Sequence, residues 1–442
     1  METLLLKPIK RIEGTVTLPG SKSLSNRILL LSALSTGTTL VTNLLDSDDI
    51  TYMLRALETL GVSVVRKSPT SVEVTGVGGP LPVPVGGKEV ELDLGNAGTA
   101  MRPLCAALSF SDIGEGGVRL DGIQRMRERP IEDLIDGLKQ LGTNAMLTGE
   151  GSPGCPPVSI LPTSTPTGGT ASISGQMSSQ FLSALLMASP LADKEVTIKI
   201  KDELISAPYV SLTIGLMKRF GMDVSINGSM SAAPSFQIEP STYTSPKNIL
   251  VEGDASSASY FLAGAAITGG VVKVVGCGSS SVQGDVKFAS CLAQMGATVE
   301  WEEDAITVTR DPDVKLKGGV FDCLDIPDAA MTLAVVALFA EGPTEIRNVY
   351  SWRLKETERM KAIVAECTKL GARVEEFRDY CVIHPPGIIK EGVRVETYDD
   401  HRMAMAFSLA ACGGGEVIIE DPKCTGKTFP DYFDVLESVT VR

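Results

Sequence analysis

A short polar turn that leads directly into an apolar helical pattern occurs six times along this chain of 442 residues. Each turn is rich in Gly, Ser or Asp, and each predicted helix stops at or just before a glycine. Equivalent points of the six turns follow one another at intervals of 73 to 80 residues, and they are Lys22, Gly98, Ser178, Asp254, Asp328 and His401. This regular spacing indicates an internal repeat of six units.

A second pattern repeats with a similar period. It reads apolar-x-x-apolar-Gly-x-x-apolar, and its glycines are Gly61, Gly142, Gly221, Gly296 and Gly371. The residue just past a helix end commonly needs a left-handed backbone, which glycine adopts most easily. We therefore predict a helix-to-strand junction at each glycine, and a degenerate sixth copy at residues 435–439.

The chain is too long for one hydrophobic core, since single cores stop growing at about 250–300 residues. Two domains with three repeats each are therefore expected. Apolar residues make up 43% of the chain and aromatic residues only 5%, which is typical here of a close-packed α/β protein. No apolar run reaches the roughly 18–20 residues of a membrane helix, and the first residues do not resemble a signal peptide.

Charge and cysteine content exclude several kinds of partner. The formal net charge of −14 argues against nucleic acid and anionic membrane surfaces, because both favour a positive field. The nine cysteines include no Cys-x-x-Cys pair, and the chain has only two histidines. A structural zinc site is therefore not expected, and the cysteines are predicted to be reduced and mostly buried.

The predicted helix starts are candidate anion sites, because a helix start carries unpaired N–H groups and the positive end of the helix dipole. Six such starts brought together would bind a polyanionic small molecule. In the first turn, Lys22 lies at the helix mouth, while Ser23 and Arg27 share one helix face. A solvated basic surface is the alternative. Nucleotide triphosphate binding lacks support, because neither Lys22 nor Lys427 stands in the required Gly-x4-Gly-Lys-Ser/Thr spacing.

Two further groups of cations stand out against the acidic background. Arg125, Arg127 and Arg129 alternate, so that in an extended segment they would point the same way. A solvated charged loop is the alternative. Lys355 and Arg359 are predicted to lie one turn apart on a helix, where ion pairing within the helix explains part of the pattern.

Carboxylates concentrate at the predicted helix starts, where helix capping explains most of them. Only a carboxylate that faces the cations would serve as an acid or base. The candidates are Asp254, Asp328, Glu356, Asp399 and Asp400. The neighbouring His401 is expected to be a core or capping residue.

Taken together, these segments resemble the 5-enolpyruvylshikimate-3-phosphate (EPSP) synthase family of enolpyruvyl transferases, in its plant-like, glyphosate-sensitive class. The resemblance covers essentially the whole chain. It rests on long strings at residues 18–27, 94–104, 125–131, 178–182, 251–265, 326–337, 352–360, 399–411 and 428–434.

The resemblance implies a two-domain, inside-out α/β barrel built from six βαβαββ repeats, three per domain. Residues 22–244 would form the globular domain on the shikimate 3-phosphate side. Residues 1–21 and 245–442 would form a discontinuous second domain, with the active site in the cleft between the two.

The implied activity is 3-phosphoshikimate 1-carboxyvinyl transfer. The enolpyruvyl group of phosphoenolpyruvate moves to the 5-hydroxyl of shikimate 3-phosphate, and phosphate is released, in the shikimate pathway to chorismate and aromatic amino acids. No metal or organic cofactor is implied. We expect a monomer that glyphosate inhibits, located in the cytoplasm, or in the plastid stroma if a transit peptide has been removed.

The resemblance also carries over individual residues. Those implied to bind phosphoenolpyruvate are Lys22, Gly98 through its amide, Arg129, Gln180, Arg359, Arg402 and Lys427. Those implied to bind shikimate 3-phosphate are Lys22, Ser23, Arg27, Ser178, Ser179, Gln180, Ser206, Tyr209, Asp328, Ser351 and Lys355. Ser351 departs from bacterial relatives, which often carry Asn there. Asp328 would accept the proton of the 5-hydroxyl, and Glu356 or Lys22 would serve the methylene of phosphoenolpyruvate.

Three other functions are weighed against this one. The sister transferase that acts on UDP-N-acetylglucosamine shares the fold but carries a reactive cysteine, and residues 124–130 contain none. A phosphate-transferring kinase is weakened by the failed nucleotide patterns and by the lack of an obvious magnesium site. A catalytically silent anion-binding module is disfavoured by the acid/base candidates Asp328 and Glu356.

Overall fold

A computed structural model of the chain describes residues 2–84, 87–162, 168–230 and 233–442. It divides into two compact units. The continuous unit is Ser21–Val251, and the discontinuous unit is Met1–Gly20 with Glu252–Arg442. In the described part of the chain the α-helices are α1 (Lys22–Leu34), α2 (Asp48–Thr59), α3 (Gly98–Ser109), α4 (Glu132–Gln140), α5 (Ser179–Ala188), α6 (Ala207–Arg219), α7 (Ala255–Thr268), α8 (Phe288–Gln294), α9 (Ala330–Val336), α10 (Arg359–Lys369), α11 (His401–Ser408) and α12 (Tyr432–Ser438).

The sheets of the continuous unit repeat one arrangement. The first two strands of each sheet are parallel, and the remaining neighbours are antiparallel. In order of pairing, the strands are Asn248–Leu250, Thr38–Thr42, Ser71–Thr75 and Ser63–Ser68; then Val90–Asp93, Val118–Asp121, Val158–Ile160 and Ala145–Leu147; then Gly169–Ile173, Val196–Ile200, Ser235–Ile238 and Ser225–Asn227.

The discontinuous unit uses the same arrangement twice and a shortened form once. The strands in order of pairing are Gly14–Thr17, Val271–Val275, Ala305–Thr309 and Thr298–Trp301; then Val320–Asp322, Thr344–Arg347, Cys381–His384 and Arg373–Glu376; then Val393–Val395, Val417–Glu420 and Thr3–Leu6. In the last sheet the antiparallel partner, Thr3–Leu6, comes from the other end of the chain. A small additional pair joins Arg11–Ile12 to Thr440–Val441. The predicted α/β class and six-unit repeat are confirmed.

Two strands belong to a different unit from the helix that follows them in sequence. Gly14–Thr17 precedes α1 but pairs with Val271–Val275 in the discontinuous unit. Asn248–Leu250 precedes α7 but pairs with Thr38–Thr42 in the continuous unit. Residues 245–251, which the resemblance assigns to the second domain, therefore lie with the continuous unit.

The predicted helix starts are confirmed, because α1, α3 and α11 begin at the repeat markers themselves and α5, α7 and α9 begin one or two residues later. The predicted stops at glycine are wrong for α3, α5 and α9. Helices α5 and α9 instead run into the short 3₁₀ helices Ser189–Leu191 and Ala337–Phe339. These tighter turns satisfy the last carbonyl groups without a left-handed residue.

All five junction glycines have the predicted left-handed backbone. Their φ values lie between 82° and 110° at Gly61, Gly142, Gly221, Gly296 and Gly371. Each follows the end of an outer helix by two residues, at α2, α4, α6, α8 and α10. The junctions are confirmed.

The helices that open with the polar turns form the core of their units. Helices α9 and α11 are buried at every residue, and α1, α3, α5 and α7 at all but one. A helix that is largely apolar all round must be packed on all sides. The outer helices, such as α2 and α4, bury only one face.

The predicted cysteine state is also confirmed, since the nine thiols are free and seven of them are buried.

Replacing Gly142 by alanine tests the junction. Gly142 has φ +85°, and a Cβ there would meet no atom of the described residues within 4 Å. The left-handed backbone alone should therefore lower the free energy of unfolding by about 1–2 kcal/mol. The matched control is Gly215→Ala inside α6, where the added Cβ would likewise meet no atom of the described residues within 4 Å. Its free energy of unfolding should rise by up to about 1 kcal/mol, because alanine favours a helix more than glycine does. Urea unfolding followed by circular dichroism measures both, and equal midpoints would contradict the interpretation.

Candidate active site

Lys22 is the first residue of α1 and is 7% exposed. Its Nζ lies 3.5 Å from Oδ2 of Asp49, which is itself buried near the start of α2. One turn further along α1, Asn26 donates to Oγ1 of Thr99 at 2.9 Å, which ties the starts of α1 and α3 together. The ammonium group of Lys22 is therefore held at a helix start by a buried carboxylate.

Arg27 lies on the same helix and is 4% exposed. Its Nε donates to Oγ1 of Thr213 at 2.8 Å, and its Nη1 donates to the carbonyl of Ser23 at 3.0 Å. Burial lowers the pKa of Arg27 to about 10, so that it stays charged at neutral pH. Thr213 also donates to the carbonyl of Tyr209 at 2.7 Å, so the first turn of α6 is linked to Arg27.

Two guanidinium groups pack against Gly98 at the start of α3. A Cβ on Gly98 would collide with Nη1 of Arg102 and would lie 2.8 Å from Nη2 of Arg129. Arg129 is 3% exposed, and its Nη1 donates to the backbone and side-chain oxygens of Asn96 at 3.0 and 2.8 Å. The amide of Gly98 also donates to the Asn96 carbonyl at 3.0 Å. A phosphate that binds this amide must therefore replace the Asn96 carbonyl as its hydrogen-bond acceptor.

The three alternating arginines do not lie in an extended segment, so they do not point the same way. Met126–Glu128 forms a 3₁₀ helix, and the side chains take different partners. Arg125 pairs with Glu128 at 3.0 Å, whereas Arg127 donates to both oxygens of Asp121. Local ion pairs hold the turn, and Arg129 is the arginine that it presents beside Gly98.

The remaining predicted residues of the continuous unit lie at two helix starts. Ser178 caps α5, and its Oγ accepts from the amide of Gln180 at 3.2 Å. Ser179 is the first residue of α5 and is buried. Ser206 precedes α6 with φ 52°, a left-handed conformation that is uncommon for serine. The structure thus places the predicted residues of this unit at the starts of α1, α3, α5 and α6 and at the Arg129 turn.

Arg359 is the centre of the cluster in the discontinuous unit. Its side chain is 1% exposed and contacts three carboxylates. Nε and Nη2 donate to Asp400 at 2.8 and 3.2 Å, Nη1 donates to Asp328 at 2.9 Å, and Nη2 donates to Glu356 at 2.9 Å. We call these four residues the Arg359 cluster.

Asp328 receives further cations. Nη2 of Arg402 donates to its Oδ2 at 3.1 Å, and Nζ of Lys355 lies 3.4 Å from its Oδ1. Burial by itself would raise the pKa of Asp328, but the charges of Arg402, Lys355 and Arg359 outweigh it and hold the pKa well below its ordinary value. In the absence of substrate, Asp328 is therefore a firmly ionised carboxylate.

Lys355 does not share a helix with Arg359, and this prediction is wrong. Tyr350–Leu354 is a 3₁₀ helix that contains Ser351, and α10 begins only at Arg359. Both cations nevertheless reach the same oxygen of Asp328. The buried Trp352 explains the placement, because its Nε1 donates to the carbonyl of Pro327 at 2.6 Å, directly before Asp328.

Lys427 lies in the 3₁₀ helix Pro422–Lys427, and its Nζ is 3.8 Å from Oε1 of Glu356. His401 is fully buried at the first position of α11, as expected of a core residue, and its Nδ1 lies 3.6 Å from Asp400.

Among the described residues, no group of His, Cys, Asp or Glu is arranged to hold a metal ion. None of the helices in the same residues is long and apolar enough to cross a membrane.

Sequence reasoning missed Asp285, which is 4% exposed. Its Oδ2 accepts from the hydroxyl of Ser256 in α7, and its Oδ1 lies 3.4 Å from the amide of Ala329, the residue after Asp328. Burial, and then the negative charge of Asp328, raise the pKa of Asp285 to about 6. The polar pattern around residue 285 gave no signal, because its partners lie 29 and 44 residues away in the chain.

Each unit thus carries its own set of buried cations. Lys22, Arg359 and Arg402 lie in the first turn of a helix, an arrangement suited to small anions. Whether the two sets serve one pair of substrates stays a prediction.

Comparisons with known proteins agree on one family. The model of the family described as EPSP synthase (3-phosphoshikimate 1-carboxyvinyltransferase) matches residues 6–436. The chain is 56% identical to the chloroplastic 3-phosphoshikimate 1-carboxyvinyltransferase of Brassica napus, over 99% of this chain and 85% of that protein. It is 52% identical to the 3-phosphoshikimate 1-carboxyvinyltransferase of Vibrio atlanticus over the full length of both. The solved EPSP synthase of Acinetobacter baumannii has a TM-score of 0.80 at 28% identity, covering 99% of this chain and 98% of that one.

The raised pKa of Asp285 predicts a pH-dependent gain in stability for Asp285→Asn. A carboxylate whose pKa is higher in the folded state than in the unfolded state lowers the free energy of unfolding at pH values above its folded-state pKa. It has no such effect at pH values below its unfolded-state pKa. The stability of the variant relative to the parent should therefore rise by about 1–2 kcal/mol between about pH 4.5 and about pH 7.5. Urea unfolding at both pH values measures this difference, and each value serves as the control for pH-independent effects of the substitution. A constant difference would refute the assignment.

Proposed function

Because the chain belongs to the EPSP synthase family, we propose that it transfers the enolpyruvyl group of phosphoenolpyruvate to the 5-hydroxyl of shikimate 3-phosphate and releases phosphate. This activity makes it an enolpyruvyl transferase of the shikimate pathway. The observation that carries the proposal is the Arg359 cluster, in which one buried cation is held by three carboxylates that an anionic substrate can replace.

The carboxylate of phosphoenolpyruvate binds Arg359 and Arg402. Both guanidinium groups already donate to the oxygens of Asp328, at 2.9 and 3.1 Å, so each is oriented to grip a planar carboxylate. The phosphate of the same substrate binds Lys22, Arg129 and Lys427. Gly98 contributes through its missing side chain, since any Cβ would displace the guanidinium of Arg129.

Shikimate 3-phosphate binds through Lys22, Ser23 and Arg27 at the start of α1, and through a set of polar residues at other element ends. Arg27 is suited to a phosphate because burial leaves it charged but strongly desolvated, while its hydrogen bonds to Thr213 and the Ser23 carbonyl fix its position. The other residues of this set are Ser178, Ser179, Gln180, Ser206, Tyr209, Asp328, Ser351 and Lys355.

Substrate binding switches Asp328 from a salt-bridge partner to a base. Phosphoenolpyruvate binds Arg359 and Arg402, and shikimate 3-phosphate binds Lys355. Asp328 thereby loses its ion pairs with the cations that depress its pKa. Its affinity for a proton then rises, and it accepts the proton of the 5-hydroxyl while the oxygen bonds to C2 of phosphoenolpyruvate. The base is thus activated only when both substrates are present.

The methylene of phosphoenolpyruvate gains a proton in the same addition step, from Glu356 or from Lys22. Glu356 is the stronger candidate because it lies between Arg359 and Lys427, at 2.9 and 3.8 Å, and so next to the proposed carboxylate and phosphate sites. In the elimination step the methyl group returns a proton, the C2–O bond to phosphate breaks, and the enol ether remains on the former 5-hydroxyl. No cofactor enters these steps.

The proposal extends to partners and location. The ligands are the two anionic substrates and the inhibitor glyphosate, the chain acts as a monomer, and it works in the cytoplasm or in the plastid stroma. The chloroplastic name of the Brassica napus relative supports the second location, and the bacterial relatives support the first.

Phosphate release tests the reaction. The purified protein should release phosphate from phosphoenolpyruvate only when shikimate 3-phosphate is added, and Asp328→Asn and Glu356→Gln should each lower kcat by at least about 100-fold, because each removes a proton-transfer group. A colorimetric phosphate assay measures both effects.

The matched control is Asp325→Asn, which changes a more exposed carboxylate that pairs with Lys287 and should leave kcat within about twofold. Near-normal turnover of both catalytic variants, with unchanged circular dichroism, would remove the proton-transfer roles. Turnover with UDP-N-acetylglucosamine instead of shikimate 3-phosphate would assign the chain to the sister activity, and a nucleotide requirement would point to a kinase.

Glyphosate inhibition tests the packing at Gly98. Glyphosate should compete with phosphoenolpyruvate, and Gly98→Ala should raise its inhibition constant by about tenfold or more while the KM for phosphoenolpyruvate rises less, because a bulkier ligand has less room beside the new methyl group. Gly114→Ala is the control, since its Cβ would meet no atom of the described residues within 4 Å. Equal inhibition of the parent and Gly98→Ala would rule out the packing argument.

A further inference from the structure

The turn that precedes α11 has a strained backbone. Tyr398 and Asp399 have φ values of 55° and 54°, so two consecutive residues other than glycine are left-handed. Such a conformation costs about 1–3 kcal/mol per residue and persists only where the surroundings impose it. The next residue, Asp400, is fully buried and belongs to the Arg359 cluster. Something must therefore hold this turn in place.

The group that holds the turn is Glu366, a carboxylate on α10 that is 0% exposed. Its Oε1 accepts from the hydroxyl of Tyr398 at 2.8 Å, and its Oε2 accepts from the amide of Glu396 at 3.3 Å. Nζ of Lys369 lies 2.8 Å from Oε1. Burial and the contact with Glu366 raise the pKa of Tyr398, so that its hydroxyl remains a hydrogen-bond donor.

Glu366 lies seven residues after Arg359, which places both side chains on one face of α10 two turns apart. Helix α10 therefore contacts the segment 396–400 through two side chains. Arg359 binds the carboxylate of Asp400, and Glu366 binds the turn just before it. Asp400 in turn accepts from the amide of Arg402 at 2.9 Å, so the same turn sets the start of α11.

We propose that Glu366, acting through the hydroxyl of Tyr398, is a positioning residue that aligns Asp400 and thereby the two arginines that bind the carboxylate of phosphoenolpyruvate. The inference rests on the proposed function for the roles of Arg359 and Arg402. Asp400 touches both, through the side chain of the first and the backbone of the second. A shift of the turn therefore misplaces both arginines at once and leaves the helix starts of the continuous unit unchanged.

The experiment is steady-state kinetics on Glu366→Gln and Tyr398→Phe, with each substrate varied in turn. Because alignment is lost at the phosphoenolpyruvate carboxylate, the KM for phosphoenolpyruvate should rise by about tenfold and kcat should fall. The KM for shikimate 3-phosphate should stay within about twofold, since its proposed phosphate contacts lie elsewhere. A loss of folded protein alone would lower the apparent kcat and leave both KM values unchanged.

Two controls separate positioning from general stability. Lys369→Gln removes the third partner of Glu366 but leaves the turn untouched, so both KM values should match the parent. The double variant Glu366→Gln/Tyr398→Phe should be no worse than the more affected single variant, because both substitutions act on the same contact, in which the Tyr398 hydroxyl donates to Glu366. Additive effects would show that the two residues act independently and would overturn the proposal.

The outcomes distinguish this inference from the proposed function. Absence of turnover in the parent protein would remove the function itself. Turnover in the parent with an unchanged KM for phosphoenolpyruvate in both single variants would remove only the positioning role. Equal rises in both KM values would likewise overturn the inference, because they would indicate a general distortion.

Discussion

The charge balance around one buried guanidinium group governs the chemistry of the discontinuous unit. A cation removed from water must be paired, because its desolvation costs several kcal/mol, and Arg359 meets this need with Asp328, Glu356 and Asp400. The carboxylates are thereby fixed as a set around a single centre. In the proposed reaction the same balance makes the site receptive to ligands, since an anion that replaces one carboxylate preserves the pairing while it frees that carboxylate to move protons.

The fold places this cluster at helix starts, where the residues that cap the helices are also partners of the proposed substrate-binding arginines. Asp400 caps α11 through the amide of Arg402 and also binds Arg359. Asp285 plays a related part at the start of α9, next to Asp328. Helix starts buried in a core need polar partners for their amides, so the fold itself places polar groups where an anionic substrate can use them.

The repeat is regular in structure although its strands do not follow the chain in order. Gly14–Thr17 and Asn248–Leu250 each pair in the unit opposite to that of the helix that follows them. The last repeat is completed by Thr3–Leu6, at the other end of the chain. These exchanges make the discontinuous unit depend on residues from both ends of the sequence. The pairing of Asn248–Leu250 also explains why the continuous unit extends to Val251, beyond the boundary that the resemblance implies.

The sequence by itself determined the features that depend on local backbone geometry and on periodicity. The six helix starts and the left-handed glycines, such as Gly142, follow from short-range conformational preferences that each segment carries with it. The cations proposed to bind the substrates were named from sequence, with the help of the family resemblance. Only the tertiary structure decided their partners: the 3₁₀ turn before Arg129, the separation of Lys355 from α10, and the contacts of Asp285 and Glu366. These depend on packing between residues distant in the chain, because a side chain of given chemistry can pair with any opposite group and only the folded core selects which one is within reach.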